Sequence, residues 1–343
     1  MKVSIIGVTG YGGMELVRLL LQHPEVEIIS LHSHSQSGKT VNEVLPQLKK
    51  LIDLPIETID TKQIMKNAEL VFLATPSGVS KTIASDFIAA EFPMIDLSGD
   101  FRLKEPVQYE KWYKNSSVQE NYLEKFDYGL ADIKSEYAKK FIANPGCYAT
   151  GTLLSLAPLV QTTNIDVNSI IVDGKSGLSG AGKNLTETSH FVAVNENMSL
   201  YKMNSHQHIP EVIQQLKEWN QEISAIQFST SLIPVTRGIF ITTYVKSKQL
   251  FENGEVEKLF RTFYQDNYFV RVQDPGSYPS LKQVIGSNFC DIGVAYNPAT
   301  KIITVVTVLD NLVKGAAGQA IQNLNKLAGW PEELGLKMCP MYI

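Results

Sequence analysis

The residues best suited to chemistry in this chain stand together in Asn144-Pro145-Gly146-Cys147-Tyr148. Proline and glycine do not continue a helix, and residues 148–160, YATGTLLSLAPLV, read as one, so Cys147 is expected in its first turn. Unpaired N–H groups there favour an anion, drawing a thiol toward thiolate and later offering donors to an oxyanion. Cys147 is thus a candidate nucleophile, against the competing reading of a buried structural cysteine. A thiolate nucleophile needs a proton carrier. Of the six histidines, His206 and His208 form a pair in HQHIPE, residues 206–211, just ahead of a helical pattern. Alternate positions of an extended segment point to opposite sides, so one of the two is expected to face the site. A His-x-His pair also suits a metal, but no companion cluster of Cys, His and acid has ligand spacing, so no metal is expected.

Other stretches look built for anions. Gly7, Gly10 and Gly13 lie between a β-branched run and a helical pattern, where glycines permit a tight turn and close approach of phosphate to backbone N–H groups. A purely structural turn has the same signature. Residues 31–39, LHSHSQSGK, follow the second strand without the acid that would hold a ribose 2′-hydroxyl; their hydroxyls and lysine suit a 2′-phosphate, which favours NADP over NAD. The competing reading is a solvated polar loop. Arg102, in DLSGDFR, falls just past the carboxyl end of a strand, where open α/β sheets bind ligands, and its planar guanidinium suits phosphate or carboxylate. Residues 174–183, GKSGLSGAGK, form a glycine-rich loop with two lysines and two serines that does not match an ATP-binding P-loop. Arg237, in PVTRG, reads equally as a substrate-carboxylate partner and as an exposed ion pair.

Strands alternating with helices must position these groups in the first half. Residues 2–6, 25–31, 69–74 and 93–97 read as strands, the third ending at Thr75-Pro76-Ser77-Gly78, and a helix is expected at 13–21. The pattern predicts a Rossmann-type, doubly wound parallel sheet. After Cys147 the strands lengthen: 169–173, 226–246, and a hairpin over 288–309 turning at Asn297-Pro298, with helices at 209–219 and 256–265. This predicts a second, α+β domain with a mixed or antiparallel sheet. A last helix over 311–327 carries Gly315, Ala316, Ala317 and Gly318 on its early turns, letting its backbone approach a neighbour or ligand closely. The expected domains are 1–146, completed by the C-terminal helical stretch 311–343, and 147–310.

Bulk properties bound the function. A chain of 343 residues accommodates two domains, and 44% apolar with 19% charged residues describes a folded globule. A net charge of −4 without a basic cluster argues against nucleic-acid binding. No segment has the length to span a bilayer, and the start MKVSIIGVTG lacks the features of a signal peptide. Three irregularly spaced cysteines form neither a disulfide framework nor a zinc pattern, so a cytoplasmic location is expected.

Taken in order, GVTGYGGMEL (7–16), DLSGDFR (96–102), NPGCYAT (144–150), GKSGLSGAGK (174–183), HQHIPE (206–211), PVTRG (234–238) and DNLVKGAAGQA (310–320) resemble the N-acetyl-γ-glutamyl-phosphate reductase family, relatives of aspartate-semialdehyde dehydrogenase. The resemblance covers essentially the whole chain. Two departures are Gln207, where the family commonly has arginine, and Val8-Thr9 in place of Ala-Ser; neither removes a chemical group the mechanism needs. The resemblance implies NADPH-dependent reduction of N-acetyl-γ-glutamyl phosphate to N-acetyl-glutamate 5-semialdehyde and phosphate through a cysteinyl thioester, in arginine biosynthesis. It implies Cys147 as nucleophile and a histidine of the pair, foremost His206, as acid/base. NADP(H) would be held by Gly7, Thr9, Gly10, Tyr11, Gly12, Gly13, Ser35, Ser37, Lys39, Thr75, Pro76, Ser179, Gly180 and Asn311. The acyl phosphate would be held by Arg102, Asn144, Lys175, His208 and Arg237. A homodimer or homotetramer is implied as well. The same chemistry on N-acetyl-aminoadipyl phosphate in lysine biosynthesis, one methylene longer, and a non-catalytic NADP-sensing protein remain the alternatives.

Overall fold

The structure, a computed structural model, describes residues 1–161 and 165–342. It clusters into two units: Met1–Gly146 with Ala316–Lys337, and Cys147–Gly315 with the residues from Met338 onward. The stretch 311–343 is therefore shared between the two.

The first unit is built on short apolar runs. Strands β1 (Lys2–Ile6), β2 (Glu27–His32), β3 (Ile56–Glu57), β4 (Leu70–Leu73), β5 (Met94–Asp96), β6 (Phe126–Tyr128) and β7 (Phe141–Ala143) form one sheet in the order β3-β2-β1-β4-β5-β7-β6. Every neighbouring pair is parallel. β4, β5 and β7 are buried along their whole length, as a sheet covered on both faces requires. The strand order reverses at β1, so the loops after β1 and β4 flank the switch point where such sheets receive ligands. Between β1 and β2 the helix Tyr11–Leu20 buries Leu16, Val17, Leu19 and Leu20, and the C-terminal helix Gly318–Leu327 packs beside it. β6 and β7 carry three residues each, too few for a legible alternation, and sequence reasoning passed over them.

The second unit has a mixed sheet. β8 (Ile171–Ser176), β9 (Ser199–Leu200), β10 (Gln227–Leu232), β11 (Ile239–Lys246), β12 (Val270–Val272), β13 (Cys290–Asn297) and β14 (Ile302–Leu309) take the order β12-β13-β14-β11-β8-β10-β9. β13, β14, β11 and β8 pair antiparallel in succession, whereas β12 with β13 and β8 with β10 are parallel. The expected strand region 226–246 is two strands, broken at the loop that holds Pro234 and Gly238, the latter at φ +118°. The helix Cys147–Val160 lies on β11 and β14 and against the helix His208–Trp219. Every residue of it after Cys147 is buried, which explains its lack of a polar face. The helix expected over 311–327 begins as a π-turn, Val313–Ala317, before the regular helix Gly318–Leu327.

Candidate active site

In the first unit, the turn after β1 is shaped by its glycines. Gly7 has φ +93°, and a Cβ there would lie 2.4 Å from the Ala74 carbonyl oxygen; one at Gly13 would lie 2.3 Å from the Gly7 oxygen. Those two glycines are demanded by packing. A Cβ at Gly12 would meet nothing within 4 Å, and Gly10 caps the helix Tyr11–Leu20, so the open side of the turn presents helix-start N–H groups. Tyr11 stands partly exposed at that start, and Thr9 shares a hydrogen bond with Ser33 at 3.2 Å. Ser35, Ser37 and Lys39 are exposed in the turn after β2, with the Lys39 ammonium donating to Gln36 at 2.8 Å. No acid stands between Leu31 and Thr40, so this donor set fits a phosphorylated ribose.

Thr75 and Pro76 lie after β4, where the Thr75 and Ser80 hydroxyls are 2.8 Å apart. Asp100, missed in the sequence, ties that turn to the arginine loop: its carboxylate accepts from Gly78 N–H at 2.6 Å, Lys81 N–H at 3.0 Å and the Tyr109 hydroxyl at 2.6 Å. Burial, with Asp100 beside it, pushes Asp96 up to about 6. Two residues beyond Asp100, Arg102 is buried and donates to the carbonyls of Asn144 and Leu97, each at 2.8 Å. Asn144 is fully buried; its amide donates to Ala316 O at 3.0 Å and accepts from Asn323 at 2.9 Å. Its side chain is occupied inside the unit, which suits a strut for Arg102 and the NPGC turn better than the substrate contact expected.

In the second unit, Cys147 is the first residue of its helix and is partly exposed, while all that follows is sealed. The ring of Tyr148 organises its surroundings. Tyr148 lies edge-on to His206 at 5.3 Å and to His208 at 6.3 Å between ring centroids, and the two histidine rings are 4.6 Å apart. The expectation that the pair diverges does not hold. A helix begins at His208, so the segment is wound rather than extended and both rings fall on the Tyr148 side. The Tyr201 hydroxyl donates to that of Tyr148 at 3.2 Å. Burial holds Tyr201 up at about 12 and Tyr148 higher still, so both phenols remain protonated. Burial first, and then Lys202, pushes His206 down to about 3. The backbone N–H of His208 donates to His206 Nδ1 at 3.1 Å. A neutral imidazole carries one proton, so with Nδ1 accepting, His206 holds it on Nε2.

The remaining candidates separate. Asn311 accepts from Gly238 N–H at 2.7 Å and donates to Ser179 at 2.9 Å, tying the 177–182 and 234–238 loops together; Gly180 lies over Ser176 in the same loop. Arg237 pairs with the buried Asp310 at 3.4 Å. Lys175 does not join the Cys147 group. Its neighbour Gly174 faces the Tyr148 ring, and strand alternation sends Lys175 to the opposite face, where it pairs with Asp173. Sequence reasoning also passed over Tyr148, Tyr201 and Asp310; the first was legible only as the neighbour of Cys147. Among the described residues, no group of three His, Cys, Asp or Glu is placed to hold a metal.

Comparison with known proteins shows the family. Residues 2–141 match the family model described as semialdehyde dehydrogenase, NAD binding domain, and residues 147–311 the semialdehyde dehydrogenase, dimerisation domain. The chain is 57% identical over 342 residues to the N-acetyl-gamma-glutamyl-phosphate reductase of Listeria welshimeri and 55% identical over 343 residues to that of Streptococcus mutans, covering 100% of each chain in both cases. Among solved structures, aspartate semialdehyde dehydrogenase II of Vibrio cholerae, complexed with ASA, superposes with a TM-score of 0.73 at 15% identity, covering 96% of this chain and 98% of that one; at this identity it shows the fold. The chain belongs to the N-acetyl-gamma-glutamyl-phosphate reductase family.

Proposed function

We propose that this protein reduces N-acetyl-γ-glutamyl phosphate with NADPH to N-acetyl-glutamate 5-semialdehyde and phosphate, the arginine-biosynthetic step its relatives are named for, by way of a thioester on Cys147. The observation that carries this reading is a partly exposed thiol opening a helix, with the ring of the next residue, Tyr148, lying edge-on to a neutral histidine at 5.3 Å. Cys147 Sγ attacks the acyl carbon as thiolate. Sulfur is strongly nucleophilic and also leaves well, which both halves of the reaction need. The first tetrahedral oxyanion receives hydrogen bonds from the helix-start N–H groups and His206, and its collapse breaks the carbon–oxygen bond to phosphate. Arg102, fixed by the Leu97 and Asn144 carbonyls, is assigned to the departing phosphate. The nicotinamide, when bound, supplies the hydride that reduces the thioester. His206 then holds the resulting alkoxide, whose collapse expels the Cys147 thiolate and needs no base. That fits a histidine whose Nδ1 is already taken by a peptide N–H.

The cofactor groups are Gly10, Tyr11, Gly12 and the exposed Ser35, Ser37 and Lys39, whose lack of an acidic neighbour supports NADP. A homodimer or homotetramer assembled through the second unit belongs to the same proposal: the sheet face that carries Lys175 leaves Ile171 44% and Tyr244 38% exposed. A cytoplasmic location belongs to the same proposal: none of the three cysteines forms a disulfide, and among the described residues no helix is long and apolar enough to cross a membrane.

The test runs the reaction backward. N-acetyl-glutamate 5-semialdehyde, NADP⁺ and inorganic phosphate should yield NADPH only when all three are present, and Cys147→Ser should abolish turnover in both directions while NADPH binding changes less than about twofold. Turnover retained by Cys147→Ser overturns the reading.

A further inference from the structure

We propose that Gly315 is a positioning residue that sets where the Cys147 sulfur stands, and that Asp310 holds it in that place. The inference rests on Cys147 being the nucleophile and adds to it the element that fixes its position. A Cβ built at Gly315 would lie 2.7 Å from Cys147 Cβ, 3.2 Å from Cys147 Cα and 3.3 Å from Leu309 Cδ1. The two nearest atoms belong to the backbone and the root of the side chain, so no flexible end can swing aside. Carbon atoms rest at about 3.5–4.0 Å, and relieving the clash takes a displacement of about 1 Å.

The π-turn is in no position to yield. Gly315 N–H donates to Asp310 O at 2.9 Å, closing the turn Val313–Ala317. One carboxylate oxygen of Asp310 accepts from Leu312 N–H at 2.8 Å and Val313 N–H at 3.2 Å; the other accepts from Gly286 N–H at 2.8 Å and pairs with Arg237. Asn311 binds the next two loops. The turn is thus anchored on three sides, and the start of the Cys147–Val160 helix is what moves when a side chain appears at 315. Bare backbone at this position lets the thiol-bearing turn settle against a fixed stop. A misplacement of about 1 Å at reacting atoms costs about 10²-fold in rate.

The experiment compares Gly315→Ala and Asp310→Asn in a Cys339→Ser background, which removes the exposed competing thiol. Three quantities are read: kcat with KM, the rate of Cys147 alkylation by iodoacetamide across pH, and the NADPH dissociation constant. Gly315→Ala should lower kcat about 10²-fold and shift the alkylation profile, with NADPH affinity within about twofold. Asp310→Asn, which adds no bulk, should move the same two readouts in the same direction by less. Alkylation and kcat within twofold of the parent in Gly315→Ala overturn the proposal. So do parent values in Asp310→Asn if the alanine variant fails to fold. Neither result touches the Cys147 assignment, which stands or falls with Cys147→Ser.

Discussion

In the glycine turn of the first unit the groups that meet an anion are peptide N–H donors at an open helix start; around Cys147 the helix-start N–H groups are joined by side chains withdrawn from water. Position 12 has room for a ligand, and Ser35, Ser37 and Lys39 reach solvent. His206 is 4% exposed and Tyr148 1%. The contrast fits the two tasks proposed for these sites. A nucleotide is bound and released whole, so an exposed backbone cradle suffices, whereas a thioester must be shielded and its oxyanion met by donors that need no reorganisation.

The sharpest way to break that contrast is at the buried donor. His206→Asn should lower kcat by about 10²–10³-fold with little change in NADPH affinity, measured by steady-state kinetics and fluorescence titration. An unchanged kcat would mean that the sealed cluster gives no help to the oxyanion. The exposed cradle should respond in binding alone. Lys39→Glu should weaken NADPH about tenfold or more and leave NADH nearly unaffected, since the 2′-phosphate is the only group that separates the two. Equal losses for both cofactors would remove Lys39 from the phosphate.

The smallest effect is on stability and tests burial itself. His206 falls from 6.5 to about 3 in the folded chain, so the unfolded chain binds its proton more readily between those values. This contribution is complete above pH 6.5 and lost as pH falls toward 3, on the order of a few kcal/mol. His23 and His32, both lowered chiefly by burial, add loss in the same direction. Urea midpoints at pH 7 and pH 4.5 should separate further in the parent than in His206→Asn. Equal separations would place that imidazole in water.

The same contrast explains what the sequence made legible. The glycine turn, the strand–helix alternation and the helix opening at Cys147 are local, and local signals were enough to place them. The Tyr148 cluster draws on residues 148, 201, 206 and 208, and Asp310 acts through loops far from it in sequence; only folding brings such sets together. Lys175 shows the reverse failure. Its place in a glycine-rich loop suggested an anion contact, but it ends up as a strand residue, and alternation with a period of two turns it away from Tyr148. Arg102 was visible as a guanidinium at a sheet edge; that the Asn144 carbonyl would hold it was not.

The helix behind Cys147 is walled in along thirteen consecutive residues, with its thiol at the one end that meets solvent. Its amide hydrogens can therefore trade with the medium only when the surrounding unit opens as a whole. The proposed nucleophile thus rides on a helix set in the core of its own unit, and loosening of that helix is tied to opening of that core.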